Sequence, residues 1–473
     1  MASRLSGYTA SPSAALRPEP VEPDELLQIG DRVVEQAHGD EAIEVVVTWS
    51  LETEVRAYEG EVEAFTSSNS AGVGIRVVDG GRLGFAHAGS LSPDVIAEAL
   101  ADARDNARFA TVDPHAGIAS PDGVTVPELV LADERLRSVG PEQKVELALA
   151  LERQVRALDP RIVGVDSVDY GDSWSVGAVV STAGVRTASV ESAASLMAYI
   201  LASGGGDDMT TGFGFSVGRH PDDLDSERCA ADAVARAVRM IGATPVRSRR
   251  TTVVFDPWVT AQFIGLVADM FSADSVVKGR SPFAERLGDL VASPAVTLID
   301  DPTDPRHWGA TDTDAEGLAT RRNVLISDGR AHSFLHDATT GRMMSAASTG
   351  SAVRHGFRST PSPGPQAVVL LPGTREAAEL LADIDDGVLV QEVSGLHSGV
   401  NPVSGDFSTG IEGMRIRGGS VAEPIREVTI GSTIQRMLTD VVEVGADLEF
   451  FPMEAAGVSL VISDVTVSGS GDD

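Results

Sequence analysis

The chain has 473 residues, 42% of them hydrophobic, 23% charged and 5% aromatic. Asp and Glu number 70 against 37 Lys and Arg, a formal net charge of −33; a surface of that sign repels phosphate backbones and anionic lipid, which argues against nucleic-acid and membrane-surface binding. The length allows about two to four domains with a core of small and aliphatic side chains.

Residues 1–22, with the Pro, Ser and Ala of MASRLSGYTASPSAALRPEPVE, are expected to form a flexible tail; they contain no apolar h-region of a secretory signal. A first helix is predicted from Pro23 to Gln36, with Leu26, Leu27, Ile29, Val33 and Val34 on its apolar face. The segments AIEVVVTWSL, TEVRAYEGEVEAFTSS and AGVGIRVVDGGRLGFAHAG alternate apolar and polar residues between Gly-containing turns, as antiparallel strands do. Ser92-Pro93 opens a long helix, with Ser at the N-cap and Pro at the first helical position, and a further helix covers Pro141 to Leu158. Strands return from Arg161 to Val217, followed by a helix from Leu224 to Ile241.

The segment GATPVRSRR marks a boundary, and the chain is divided into an N-terminal domain at 23–245 and a C-terminal domain at 246–473. The second contains a strand, TTVVFDP, a helix from Trp258 to Phe271, and then mostly short strands. The predicted class is α/β (α+β): an N-terminal antiparallel sheet with helices and a β-rich C-terminal domain. No apolar run reaches the roughly 18 residues of a membrane span. Cys229, the single cysteine, cannot make an internal disulfide or a multi-cysteine zinc site; a buried structural thiol on a helix, in a reducing cytoplasm, is expected.

Signals for chemistry are sparse. His332 and His336 have the i, i+4 spacing of helical metal ligands, but NVLISDGRAHSFLHD alternates like a strand around Asp328-Gly329, where positions four apart lie about 13 Å from each other. His307, His355 and His397 have no second ligand nearby, and His38, His87, His115 and His220 are expected in solvated turns or loops. Neither a phosphate loop, a GxGxxG turn before a helix nor a GxSxG elbow is present. The pairs Asp300-Asp301, Asp312 with Asp314, and Asp385-Asp386 are expected on solvated faces, since 70 acidic residues bring some together by chance.

Between Ser394 and Gly410 the chain reads SGLHSGVNPVSGDFSTG, too polar for a core strand. Val393 to Ser398 is expected to run extended, Asn401-Pro402 and Gly405-Asp406 to turn, and FSTGIEGMRIRGG to form a strand ending at Gly418-Gly419. Exposed backbone with little side-chain bulk suits the approach of another chain as an added strand. His397, Ser398 and Asp406 are the alternative, a hydrolytic triad.

HSGVNPVSGDFSTGIEGMRIRGG, with the following EPIREVTIGSTIQRMLTDVVEVGAD, resembles the C-terminal signature of the TldD/PmbA family. TEVRAYEGEVEAFTSSNSAGVGIRVVDGGRLGFAHAGSLS and VKGRSPFAERLGDLVASPAVTLIDDP are similar to its N-terminal and central segments. In that family TldD-type chains carry His-Glu-x-x-x-His on a helix and a later Cys. Together these bind the zinc of a metallopeptidase, and TldE-type (PmbA) chains lack them. Here the helix reads FIGLVADMFSAD, and the His, Glu and His positions fall on Ile264, Gly265 and Asp269. No Cys follows residue 229.

The resemblance therefore implies a non-catalytic TldE-like subunit, with zinc in a TldD-type partner and none in this chain. The pair would cleave unfolded peptides, such as leader peptides, in the cytoplasm. Ser398, Gly399, Val400, Asn401 and Ser404 are the candidates for peptide binding or the subunit interface, and no residue is assigned a catalytic role. The alternatives are a zinc-independent enzyme using Asp269 or His397 with Asp406, and a homodimeric structural protein.

Overall fold

The computed structural model describes residues 21–206 and 208–471, so residues 1–20 of the expected tail lie outside it. The chain begins with α1 (Pro23–Val34), β1 (Ala42–Tyr58), β2 (Glu61–Asp79), β3 (Arg82–Ala88), α2 (Pro93–Phe109) and α3 (Pro141–Leu158). It continues through β4 (Ile162–Ser181), β5 (Arg186–Gly205), β6 (Asp208–Gly218), α4 (Ser226–Arg239), β7 (Arg247–Phe255) and α5 (Pro257–Asp269). Shorter elements follow: α6 (Ala273–Val277), β8 (Leu298–Asp300), β9 (Asn323–Ser327), β10 (Arg330–Ala331), α7 (Ala338–Met344), β11 (Ala352–Val353), β12 (Ser362–Pro363), β13 (Val368–Leu370) and α8 (Ala377–Ala382). The last elements are β14 (Asp386–Ser394), α9 (Leu396–Gly399), β15 (Asp406–Arg417), β16 (Ser420–Thr433), α10 (Ile434–Thr439), β17 (Val441–Val444), β18 (Ala455–Ala456) and β19 (Leu460–Ser470).

The mixed α/β class is as the sequence predicts, but the first strands are longer than their patterns suggest. β1 runs unbroken through Leu51-Glu52 and pairs with β2 from Ala42↔Val78 to Tyr58↔Glu61. The turns fall at Glu59-Gly60 and Gly80-Gly81, where all four residues have positive φ. The first sheet has the order β3-β2-β1-β4-β5-β6, every pairing antiparallel.

Period-two alternation gives this sheet two different faces. Ile43, Val45, Val47 and Trp49 pack with Leu26, Leu27 of α1 and Leu100, Ala103 of α2. Farther along the same sheet, Val55, Val168 and Leu196 pack with Leu151 of α3 and Ala233 of α4. Cys229 is fully buried in this second cluster, with its thiol pushed up to about 12 chiefly by burial. The helix that holds it is shorter than expected, because Asp225 accepts the Arg228 N–H and fixes its start.

The C-terminal half holds a sheet of order β16-β15-β14-β7-β19-β17, which turns round on itself where Thr429–Gly431 of β16 pairs with Thr466–Ser468 of β19. α5 lies in the core of this half with Phe255, Val390, Phe407 and Ile462. A smaller sheet, β10-β9-β8-β13-β18, packs beside it.

The two halves are joined by buried charge. Glu44 of β1 and Arg76 of β2 point away from the helices, and Arg76 bonds Glu44 at 2.5 Å and Glu316 at 2.9 Å. Arg354 completes the group on Glu44 at 2.6 Å, and the second Glu316 oxygen accepts the Ala338 N–H that opens α7. Burial alone would raise the Glu44 carboxyl, but Arg76 and Arg354 hold it below its ordinary value. Beside them Phe357 fills the face left bare by Gly72, where an added Cβ would stand 2.3 Å from its ring. Replacing Arg76 by Ala strands Glu44 and Glu316 without their shared partner. The expected loss is about 3–5 kcal/mol of stability, read as a lower denaturation midpoint in urea.

Candidate functional site

The Ser394–Gly410 stretch forms the connection between β14 and β15. The extended backbone stops at Ser394 rather than continuing to Ser398, because Gly395 has φ +76° and turns the chain into the single helical turn α9. Leu396 and Val400 anchor the stretch on the C-terminal core, and Val400 bridges Phe407.

The five candidate residues lie together on this connection. Gly399 sits so close to β15 that a Cβ would come within 2.0 Å of the Ser408 carbonyl oxygen. The Asn401 side chain accepts the N–H groups of Val403 at 2.9 Å and Ser404 at 3.2 Å, which is an Asx turn. Its backbone N–H bonds the Asp406 carbonyl at 2.9 Å, and its carbonyl accepts the Gly405 N–H at 2.8 Å. Ser404 donates to Asp406 Oδ2 at 2.7 Å, and its carbonyl accepts from Gln435 Nε2 at 2.9 Å. Ser398, Asn401 and Ser404 remain exposed. Several backbone groups are thus already paired within the loop. Ser398 Oγ points to the Gly395 carbonyl and Asp406 to Ser404, so the bonds of a His397–Ser398–Asp406 triad are not formed.

Helix α5 is capped by Asp256, which accepts the Val259 N–H at 2.9 Å, and starts with Pro257. Ile264 is 2% exposed and belongs to the C-terminal core. Gly265 faces the Ala455 methyl, 4.0 Å from where its own Cβ would be. Asp269, at the far end, reaches solvent from a recess in which burial and the Glu454 charge push its carboxyl up to about 6. An apolar side chain, no side chain and one carboxyl cannot make the donor set a zinc ion requires. Among the described residues no three His, Cys, Asp or Glu side chains gather around a common point that could take a metal.

Other candidates are placed differently from expectation. His332 follows β10 and is exposed whereas His336 is buried, so the two do not converge. His220 is buried, not solvated: its Nδ1 accepts the Asp222 N–H in a capped turn. His87 lies on β3 rather than in a loop. Asp385 and Asp386 are exposed as expected, but the other two acidic pairs are corrected. Asp300 is fully buried, with Oδ1 accepting the N–H groups of Gln366 at 2.9 Å and Ala367 at 2.6 Å. Asp314 is buried and accepts from Glu316, Leu318 and Ala352. Asp300 holds a segment 66 positions away, and Asp314 ties its own turn to Ala352, 38 positions on, links that a local pattern does not reveal.

A cavity of about 590 Å³ opens between the polar face of the first sheet and the C-terminal half. Hydroxyls of Thr48, Ser50, Ser175 and Thr313 line it, with Arg354 and Gln366 at one wall. The sequence reading missed this space, although the alternation of β1 contained the signal: Glu44, Val46, Thr48 and Ser50 share the face opposite the helices.

The two halves match the domain models of one metallopeptidase family. Residues 43–107 match domain 1 of the PmbA/TldA metallopeptidases, residues 134–241 their central domain and residues 248–469 their C-terminal domain. The chain belongs to the PmbA/TldD family. It is 26% identical over 431 residues to the metalloprotease PmbA of Escherichia coli O157:H7, covering 90% of this chain and 92% of that protein. Identity to a metalloprotease TldD homolog of Haemophilus influenzae is 24% over 448 residues, 89% of this chain and 90% of the other. The crystal structure of TldE from Thermococcus kodakarensis has a TM-score of 0.84 at 25% identity, covering 94% of this chain and 99% of that one.

Asp300 offers a test of the buried carboxylates. Burial raises its carboxyl from the ordinary 3.8 to about 6, so the unfolded chain ionises first as pH rises. Stability should fall between about pH 4 and pH 6, by up to about 3 kcal/mol, and level off above. Asp300→Asn keeps the Oδ1 acceptor and removes the charge. Denaturation curves of the variant should therefore lack this pH-dependent fall.

Proposed function

We propose that this chain is a non-catalytic, TldE-like subunit of a two-chain zinc metallopeptidase that cleaves unfolded or leader peptides in the cytoplasm. The observation that carries this reading is α5. Where TldD-type chains have His, Glu and His, this helix has the core residue Ile264, the bare Gly265 and a single carboxyl at Asp269. The TldD-type partner supplies the zinc and the general base. This chain supplies wall and interface: the connection with Ser398, Gly399, Val400, Asn401 and Ser404 borders the peptide path or the partner.

Two further features support the reading. β3 pairs only with Val73–Asp79 of β2, leaving the outer edge of Glu61–Gly72 without a strand partner among the described residues. Val62 and Phe65 are exposed there, and such an edge suits pairing with a second chain. No helix among the described residues is long and apolar enough to cross a membrane.

The purified chain is expected to bind no stoichiometric zinc and to leave an unstructured peptide intact. Mixed with a TldD-type chain carrying the full motif, it should give chelator-sensitive cleavage. One zinc per isolated chain, with cleavage, would overturn the proposal; zinc-free cleavage abolished by Asp269→Asn would favour the independent enzyme. In the complex, Asn401→Ala removes the acceptor of the Asx turn. Peptide cleavage should slow by roughly tenfold, since a displaced binding loop loses positioning, while the zinc content of the partner stays the same.

A further inference from the structure

A smaller recess of about 240 Å³ lies where the edge of the first sheet meets α4 and the C-terminal sheet. It adjoins the start of α5. The catalytic positions on α5, Ile264, Gly265 and Asp269, stand eight to thirteen residues beyond the Asp256 cap, about 12 to 20 Å along the helix. The recess is therefore separate from the family's catalytic position, and its assignment does not depend on a partner subunit.

Local structure aims an unusual set of groups into this space. Gly212 and Gly214 of β6 let α4 approach closely: a Cβ on Gly214 would stand 1.9 Å from the Cys229 carbonyl oxygen, and one on Gly212 2.3 Å from that of Ala233. Phe213 points to the opposite face by alternation. Arg236 of α4 reaches round the edge strand and lays its guanidinium 4.1 Å from the Phe213 ring centroid. Tyr199, opposite Phe213 in the β5–β6 register, stacks on it at 5.8 Å and 26°.

The third wall depends on a β-bulge. Pairing passes from Val390↔Gly413 to Glu392↔Glu412, which leaves Gln391 as the extra residue of β14. In a regular strand Gln391 and Glu392 would face opposite ways; here both line the recess. Three polar atoms are buried there without a hydrogen-bond partner: Arg236 Nη1, Arg239 Nε and Gln391 Oε1. Glu392 and Glu412 stand directly opposed in the ladder, an unfavourable like-charge pair. Burial and the charge of Glu412 push Glu392 up to about 7 against the pull of Arg236. Two open donors on cations, one open acceptor and two opposed carboxyls call for a ligand bearing both an anion and a cation.

We propose that this recess binds a free α-amino acid as its zwitterion. The α-carboxylate bonds Arg236 and Arg239, and the ammonium group sits between Glu392, Glu412 and the Gln391 carbonyl. An aromatic or long apolar side chain lies against Tyr199 and Phe213. The volume is below the roughly 300–1,000 Å³ of pockets for larger ligands, which suits one residue and not a peptide. Water alone satisfies the open hydrogen bonds but leaves Glu392 and Glu412 opposed, with only the Arg236 and Arg239 charges to offset them.

Isothermal titration of the full chain with L-phenylalanine tests this, with L-phenylalaninamide and N-acetyl-L-phenylalanine as controls. The expected result is saturable one-to-one binding of phenylalanine at micromolar to millimolar concentration. Each control, lacking one charge, should bind at least tenfold more weakly. Arg239→Gln and Glu392→Gln should each reduce affinity by a similar factor. Glu412→Gln, at an exposed position, keeps the test decisive should either buried variant fail to fold. Absence of binding up to millimolar phenylalanine, equal binding of both controls, or undiminished binding by folded variants would overturn the assignment.

Discussion

The arrangement of the two halves depends on one group of buried charges. Two carboxylates and two guanidiniums, from Glu44, Glu316, Arg76 and Arg354, are removed from water together. Isolated, any one of them would be expensive to bury; paired, they tolerate only an arrangement in which each charge meets its partner. Because Glu44 and Arg76 belong to the first sheet while Glu316 and Arg354 come from the C-terminal half, sliding one half over the other would break the pairs. Their contribution is to register more than to net stability.

That register explains the large cleft. With the halves held at the Glu44 end of β1, Phe357 closes the space against Gly72 and Gly74. Farther along β1, the Ser and Thr side chains of the same face are too small to fill the gap. Beyond the cleft the outer face reaches solvent at Glu52, Glu54 and Arg56. One face of a single long sheet thus passes from dry ionic contact to cavity to open surface. The opposite face is largely apolar under four helices, with a buried Lys144–Asp172 ion pair and Thr53 as its polar exception on β1 and β4.

Legibility in the sequence follows the distance over which each feature is determined. Pro141–Leu158 was readable to the residue because its start and periodicity are local. The class, the Gly-containing turns and the α5 region were readable for the same reason. β1 was harder, since Leu51-Glu52 looks like an interruption where the outer face passes from the cavity at Ser50 to solvent at Glu52. Asp300 and Asp314 looked like solvated acids because Gln366 and Ala352, whose amides bond them, lie far along the chain, although Asp314 also accepts from its own turn. Arg76 and Glu316 are 240 positions apart, and no window of sequence connects them. For the Ser394–Gly410 connection, residue types disclosed turns and exposure, but not that Asn401 and Ser404 use much of their hydrogen-bonding capacity internally.

Helix α5 shows why an apolar residue at position 264 suits the fold. Its hydrophobic residues are distributed almost all the way round, as expected of a helix enclosed by other elements. A histidine ligand at position 264 would have to turn a polar nitrogen toward a metal within that enclosure. Ile264 instead fills the volume with apolar surface beside Phe263 and Val267, about 25 cal/mol for each Å² removed from water. On the proposed reading, an apolar residue here favours stability where a TldD-type chain would hold an ion. Polar groups survive at the two ends of the helix, Asp256 near the Arg236–Arg239 recess and Asp269 near Glu454, where solvent or opposite charge is within reach. The polar groups of α5 are thus confined to its two ends, while its middle serves packing.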